Sequence, residues 1–297
     1  MDEHASPITT HKEIKLRSPI LIAAFRGWND AGDAASFAAT HLGRGWEAQK
    51  IASIDPEDFY DFQAVRPQVH LIDGVTRHIT WPANEFWAAR NEALEHDVLL
   101  LVGTEPNLRW RAFSELIIDK AQSYGVELVI TFGALLADVA HSRPVPITGT
   151  AADPALIAKL GLTRSRYEGP TGIVGVLNDA FGRQGVDSAS LWAAVPHYIA
   201  VTPNPKAALA LINKATQLIG IPVNTSELEH AAVSYEEKVT EMVAADEDVE
   251  AYVKLLEERS DENALEEIDP TRLPSGDALA AELERYLRDK EEDQGGS

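Results

Sequence analysis

The chain has 297 residues, 45% hydrophobic and 25% charged, enough apolar material to bury the core of one large domain or two smaller ones. Its formal charge of −21 argues against nucleic acid or an anionic membrane surface as the main partner, because both would be repelled. With no cysteine there is no disulfide, no thiol nucleophile and no thiolate metal site.

Residues 1–17 read as a loose polar arm without the basic-then-apolar pattern of a signal peptide. No apolar run approaches the roughly 18 residues that span a bilayer. A cytoplasmic protein is expected. The first organised stretch is Pro19 to Leu42. Ile20 to Phe25 is an apolar run of strand length. Gly27 to Gly32 is a glycine-edged polar loop, and Asp33 opens a small-residue helix with Ala34, Phe37, Ala38 and Leu42 on one face. Asn29, Asp30 or Asp33 can cap that helix by accepting from its free N–H groups. Trp28 beside them is either a wedge that packs the loop or an exposed binding residue.

Ala48 to Ile54 reads as a strand. Val69–Asp73 and Val75–Thr80 flank Gly74, which predicts a hairpin, and Glu85 to Glu95 predicts a helix. Val98 to Val102 is a continuous apolar run, as in a strand covered on both faces. The loop Gly103 to Asn107 and a helix to about Tyr124 follow. Glu105 and Arg109, four apart at the helix start, are expected to pair. Val126 to Phe132 is a second buried strand, followed by a loop at Gly133. Val145 to Thr150 is a third, and Pro154 to Leu160 a short helix. Gly169 to Gly172 opens a helix to about Phe181, where free N–H groups either cradle an anion or simply begin a helix. Ser190 to His197 is a strand. Thr202 to Pro205 leads into a helix that Gly220 closes.

The alternation of strands and helices predicts an α/β fold. It is a three-layer α/β/α sandwich with a mixed, mostly parallel sheet over residues 18–223. Residues 224–297 are strongly acidic and helical in pattern, with helices over Leu228–Ala245, Glu247–Arg259 and Gly276–Lys290. In such a sheet the strand ends converge on one rim, where ligands bind. The rim candidates are the loops at Trp28–Asp33, Thr104–Arg109, Gly133, Gly149–Thr150, Glu168–Gly172 and Thr202–Asn204. The polar groups expected to bind are Asn29, Asp30, Asp33, Glu105, Asn107, Arg109 and Asn204, with Trp28, Gly169 and Gly172 beside them. Asp30, Glu105 and Arg109 are the candidates for catalysis, were two rim carboxylates to divide acid and base roles. His197 closes a strand and is a further, weaker candidate. The nine histidines lack metal-site spacing, and no P-loop, serine elbow or dinucleotide fingerprint occurs, so neither a metal nor a cofactor is expected.

Five blocks carry a resemblance. They are Gly27-Trp28-Asn29-Asp30-Ala31-Gly32, Tyr60-Asp61-Phe62 with Arg66-Pro67, Gly103-x-Glu105-Pro106 with Arg109-Trp110, Gly133-Ala134, and Gly169-x-x-Gly172. In order and spacing they resemble the PAC2 family, named after proteasome assembly chaperone 2, and most closely its actinobacterial branch. The resemblance covers about residues 18–255. It implies a sandwich like that of purine nucleoside phosphorylases and related hydrolases. It also implies a non-catalytic assembly chaperone that binds immature proteasome rings or another protein assembly, and that self-associates as a homo-oligomer. The C-terminal hydrophobic-Tyr-any tripeptide by which some members dock is not found in Asp293 to Ser297. The alternative is a small-molecule hydrolase or phosphorylase-like enzyme with its site at the rim.

Overall fold

The computed structural model describes residues 7–90, 95–151, 157–158 and 168–263. The predicted helix over Gly276–Lys290 lies outside these residues. So does Pro154–Leu160, apart from the helical Ile157 and Ala158.

An eight-stranded sheet forms the middle layer. In chain order its strands are β1 (Ile8–Thr10), β2 (Ile20–Arg26), β3 (Gln49–Ile54), β6 (Asn84–Ala89), β7 (Val98–Thr104), β8 (Leu128–Ala137), β9 (Ile147–Ala151) and β10 (Asp187–Pro196). Across the sheet the order is β1-β3-β6-β7-β2-β8-β10-β9. The central strands β7, β2, β8 and β10 are mutually parallel. Antiparallel pairing sets in toward both edges, and β3 again runs in the direction of the central four. The sheet is therefore mixed, with most strands pointing one way.

β2 shows why the sheet needs two helical layers. Ile20, Ile22 and Ala24 face α1 (Ala34–Gly45) and α4 (Pro205–Ile219), whereas Leu21, Ala23 and Phe25 face α2 (Trp110–Ser123) and α3 (Ile173–Arg183). Every side chain from Ile20 to Phe25 is buried, so the strand carries no polar alternation before the exposed Arg26 at its end. Strands β4 (Gln68–Ile72) and β5 (Thr76–Thr80) form the predicted hairpin as a separate two-stranded sheet, exposed along its whole length.

Three expectations are corrected. Glu85 to Ala89 is strand, not helix: Phe86 and Ala88 enter one core layer, while Trp87 and Ala89 meet the other. Gly133 is not in a loop: β8 continues through it to Ala137 on the β10 ladder, and the position is glycine because the Trp192 ring lies 2.5 Å from where a Cβ would sit. Gly149 and Thr150 lie inside β9, which runs against its neighbour. The stretch expected as a loose arm also contributes an edge strand: Ile8 to Thr10 pairs with β3, and Arg17 bonds the buried Asp97 carboxylate at 2.9 Å.

The acidic segment packs on the sandwich as α5 (Ser226–Ala244) and α6 (Glu247–Asn263). Leu228 joins the main core. Tyr235, Val239, Val243 and Val253 bury against Tyr198, Ile199 and Val201, just beyond β10. No helix among the described residues is long and apolar enough to cross a membrane.

Candidate functional site

Because β7, β2, β8 and β10 are parallel, their C-terminal ends open on one rim. Glu105 is the centre of its open half. Its Oε1 accepts from Asn29 Nδ2 at 2.8 Å and from the Ile173 backbone N–H at 2.7 Å. Its Oε2 accepts from the Trp28 N–H at 3.2 Å. One carboxylate thus joins the turn after β2, the turn after β7 and the first turn of α3. The Ile173 bond is that of an anion on a helix N-terminus, supplied by the protein itself. Gly172 precedes that helix in an extended conformation. An added Cβ would overlap the Asn29 amide, 2.6 Å from its Cγ, so the glycine serves close approach and not a cradle.

Asp30 caps α1: its Oδ1 accepts from the N–H groups of Ala35 at 2.7 Å and Ser36 at 3.2 Å. Its Oδ2 is buried without a hydrogen-bond partner, and burial raises its pKa above the ordinary carboxylate value. A raised folded-state pKa favours the fold most at low pH. That advantage is lost as pH rises from the ordinary aspartate range through the folded value. The Asp30→Asn variant keeps an acceptor for Ala35 and Ser36 and cannot ionise. In paired denaturant titrations at several pH values, its stability relative to wild type is expected to increase as pH rises through that window. Asp33, beside it, is exposed, has φ +52° and makes no side-chain cap bond.

The expected Glu105–Arg109 pair does not form. Arg109 precedes α2 with φ +56°, off the helical path, so the four-residue spacing does not align the two side chains. Its guanidinium pairs instead with Asp58 at 2.9 Å and lies 5.9 Å from the centre of the Phe59 ring. Asn107 ties the same segment down: its N–H donates to the Phe59 carbonyl, and its Oδ1 accepts from the Asp61 N–H. Asn204 caps α4 through the Ala207 N–H at 2.9 Å, and its own N–H reaches the Gly32 carbonyl. Gly169 lies exposed in the approach to α3.

Residues of the motif blocks therefore hold one another in place, and the comparison with known proteins agrees with them. The model of the PAC2 family matches residues 24–243. The chain belongs to the PAC2 family. A crystal structure of a PAC2 family protein from Streptomyces avermitilis is 46% identical, covers 79% of this chain and 99% of its own, and superposes with a TM-score of 0.74. A proteasome-assembly chaperone homologue from Mycobacterium tuberculosis is 43% identical over the same shares, with a TM-score of 0.73. An archaeal proteasome activator from Pyrococcus furiosus shares the fold at 20% identity, covering 79% of this chain and 97% of its own with a TM-score of 0.65. No curated protein matches.

The other half of the PAC2 rim lies under the acidic helices. His197 Nδ1 sits 3.2 Å from Asp138 Oδ1, which also accepts from the Tyr252 hydroxyl of α6 at 2.9 Å. His141 joins the Tyr198 hydroxyl at 2.9 Å to Thr240 Oγ1 of α5 at 3.1 Å. Arg143 forks onto Asp261 of α6 at 2.7 and 2.8 Å. A cavity beside His141, lined also by Asn204, Lys206 and Tyr235 among others, holds about 10 Å³, room for one water. Burial and the Lys206 ammonium push the His141 pKa down. Protonation therefore opposes the fold, and this contribution is present above the ordinary histidine value and lost as pH falls through the folded one. Replacing His141 with Asn is expected to flatten the acid side of the stability profile below the ordinary histidine value of about 6.5, measured by urea unfolding of both proteins.

Sequence reasoning missed Asn84 and Tyr60. Both are buried at the open half of the rim, where the Tyr60 hydroxyl donates to the Thr104 carbonyl at 2.5 Å and Asn84 bonds that hydroxyl. The Tyr-Asp-Phe block was the available signal for Tyr60. Asn84 lies just before the helix expected from Glu85, so nothing marked it as the first residue of a strand at the rim.

Proposed function

We propose that this chain is a non-catalytic, assembly-chaperone-like protein that uses the open half of its rim to hold a protein partner. Incompletely assembled proteasome rings are the first candidates for that partner. One contrast carries the reading. Apart from Asp33, the polar rim residues are engaged with neighbouring side chains or backbone groups, while Trp28, 64% exposed, and Leu108, half exposed, stand out from the same turns. Exposed apolar side chains on a braced scaffold suit a protein interface. The enzymatic alternative needs Glu105 and Arg109 free to converge on a substrate, and each is committed to a structural partner. The names of the similar solved structures support the partner class, and a homo-oligomeric, cytoplasmic protein is part of the same proposal.

The test is native electrophoresis of the chain with proteasome α- and β-subunits from its own cell, mixed before rings close. Co-migration with sub-ring intermediates, and its disappearance from mature particles, is expected. Free migration of the chain at tens of micromolar, beside subunits that assemble unchanged, would overturn the proposal.

A further inference from the structure

The hairpin between β3 and β6 is built as a surface to be covered. Its register sets Val69 opposite Ile79 and Leu71 opposite Arg77 on one face. Val69, Leu71 and Ile79 are each more than half exposed, as is Val75 at the tip. A free two-stranded ribbon is marginal in water, and its unpaired edges invite a partner. The Phe62–Trp81 edge contact, with ring centres 4.8 Å apart, anchors only its base.

Charge indicates the occupant. In this chain of 47 acids and 26 bases, residues 66–82 hold two arginines, Arg66 and Arg77, and two histidines, His70 and His78, against the single acid Asp73. The opposite composition lies on α5 and α6, which together carry twelve acids and three bases. Within that acidic surface Met242 and Leu255 are exposed, and Leu255 shares its helical face with Asp248, Glu258 and Glu262, with Arg259 as the one base beside them. An apolar ribbon edged with arginine and an apolar spot on a predominantly carboxylate face are complementary. The two patches also sit at opposite ends of the rim. The hairpin rises from the β3–β6 side, and the helices cover the β8–β10 side. Placed so, they are poised to meet between copies.

We propose that the β4–β5 hairpin of one copy docks on the acidic α5–α6 face of a second copy. This rests on the homo-oligomeric part of the function proposed above and assigns its surface. Apolar burial supplies most of the hold, and the arginine–carboxylate pairs fix the register.

The test uses the full chain in three forms: wild type, the Arg66→Glu/Arg77→Glu hairpin variant and the Glu258→Lys/Glu262→Lys helix variant. All four positions are exposed, and circular dichroism with thermal melting confirms that each form is folded. Light scattering at about 50 µM in low salt is expected to show assembly of the wild type beyond its 32.4 kDa monomer. Each variant alone dissociates at least tenfold more readily, and mixing the two restores assembly because the reversed charges meet. A wild type that stays monomeric would overturn self-association and this surface together. A wild type that assembles, with variants assembling equally well, would overturn the surface and leave self-association standing. Two variants that dissociate singly and stay apart when mixed would refute the pairing of hairpin with helices. A hairpin variant that fails to fold is replaced by Leu71→Ser/Ile79→Ser, for which the same loss of assembly is expected and unchanged assembly counts against the surface.

Discussion

Replacement of Glu105 by alanine is expected to destabilise the protein by about 3 kcal/mol, because one carboxylate accepts from three donors on two other segments. Bonds to a charged group contribute more than neutral ones, and the Asn29 side chain is almost fully buried, so its amide loses its acceptor without gaining water. For a domain of this size that corresponds to a fall of about 6–12 °C in the melting midpoint. The Glu105→Gln variant is expected to recover only part, since its amide nitrogen must face one of the donors. Differential scanning calorimetry of the two variants beside wild type is the check. A midpoint within a degree of wild type for Glu105→Ala would show that the three turns are held by something else.

The second large effect is expected at Gly172. Its backbone is ordinary, with φ −97°, so nothing in its conformation requires glycine. The requirement is steric: the Asn29 side chain fills the space a methyl group would take. The Gly172→Ala variant must displace either Asn29 or the first turn of α3, and either movement breaks a bond to Glu105. Overpacking of this kind costs about 1–3 kcal/mol, and the lost hydrogen bond brings the total to about 3 kcal/mol. In the double variant Gly172→Ala/Asn29→Ala the clash is removed. Its loss of stability is expected to be smaller than the sum of the single losses by about 1 kcal/mol or more. Additive losses, measured by urea unfolding, would contradict contact between the two positions.

These two residues mark where the sequence was legible and where it was not. The central strands were readable because continuous apolar runs of strand length, each followed by a polar turn, have few other solutions. β6 was misread for the same physical reason: its residues are covered on both faces, so no alternation of polarity betrays the strand, and Glu and Ala read as helix formers. At the rim the individual residues were visible as candidates, but their partners were not. Glu105 meets Asn29 across 76 positions and Ile173 across 68, distances that only topology closes. The nearer guess, pairing Glu105 with Arg109, assumed helical geometry one residue before the helix begins. Asp30 was one of three possible caps, and burial selected it over its exposed neighbour Asp33.

The central claim is that the polar residues of the rim brace it while its exposed apolar residues bind. Capture of unassembled proteasome subunits by the Trp28→Ala variant tests this most directly. Trp28 makes its bond to Glu105 through the backbone, so the brace survives the substitution. The variant is expected to melt with wild type and to lose at least tenfold in capture, as for an exposed aromatic anchor worth about 2 kcal/mol. Wild-type capture by a folded Trp28→Ala protein would contradict that claim.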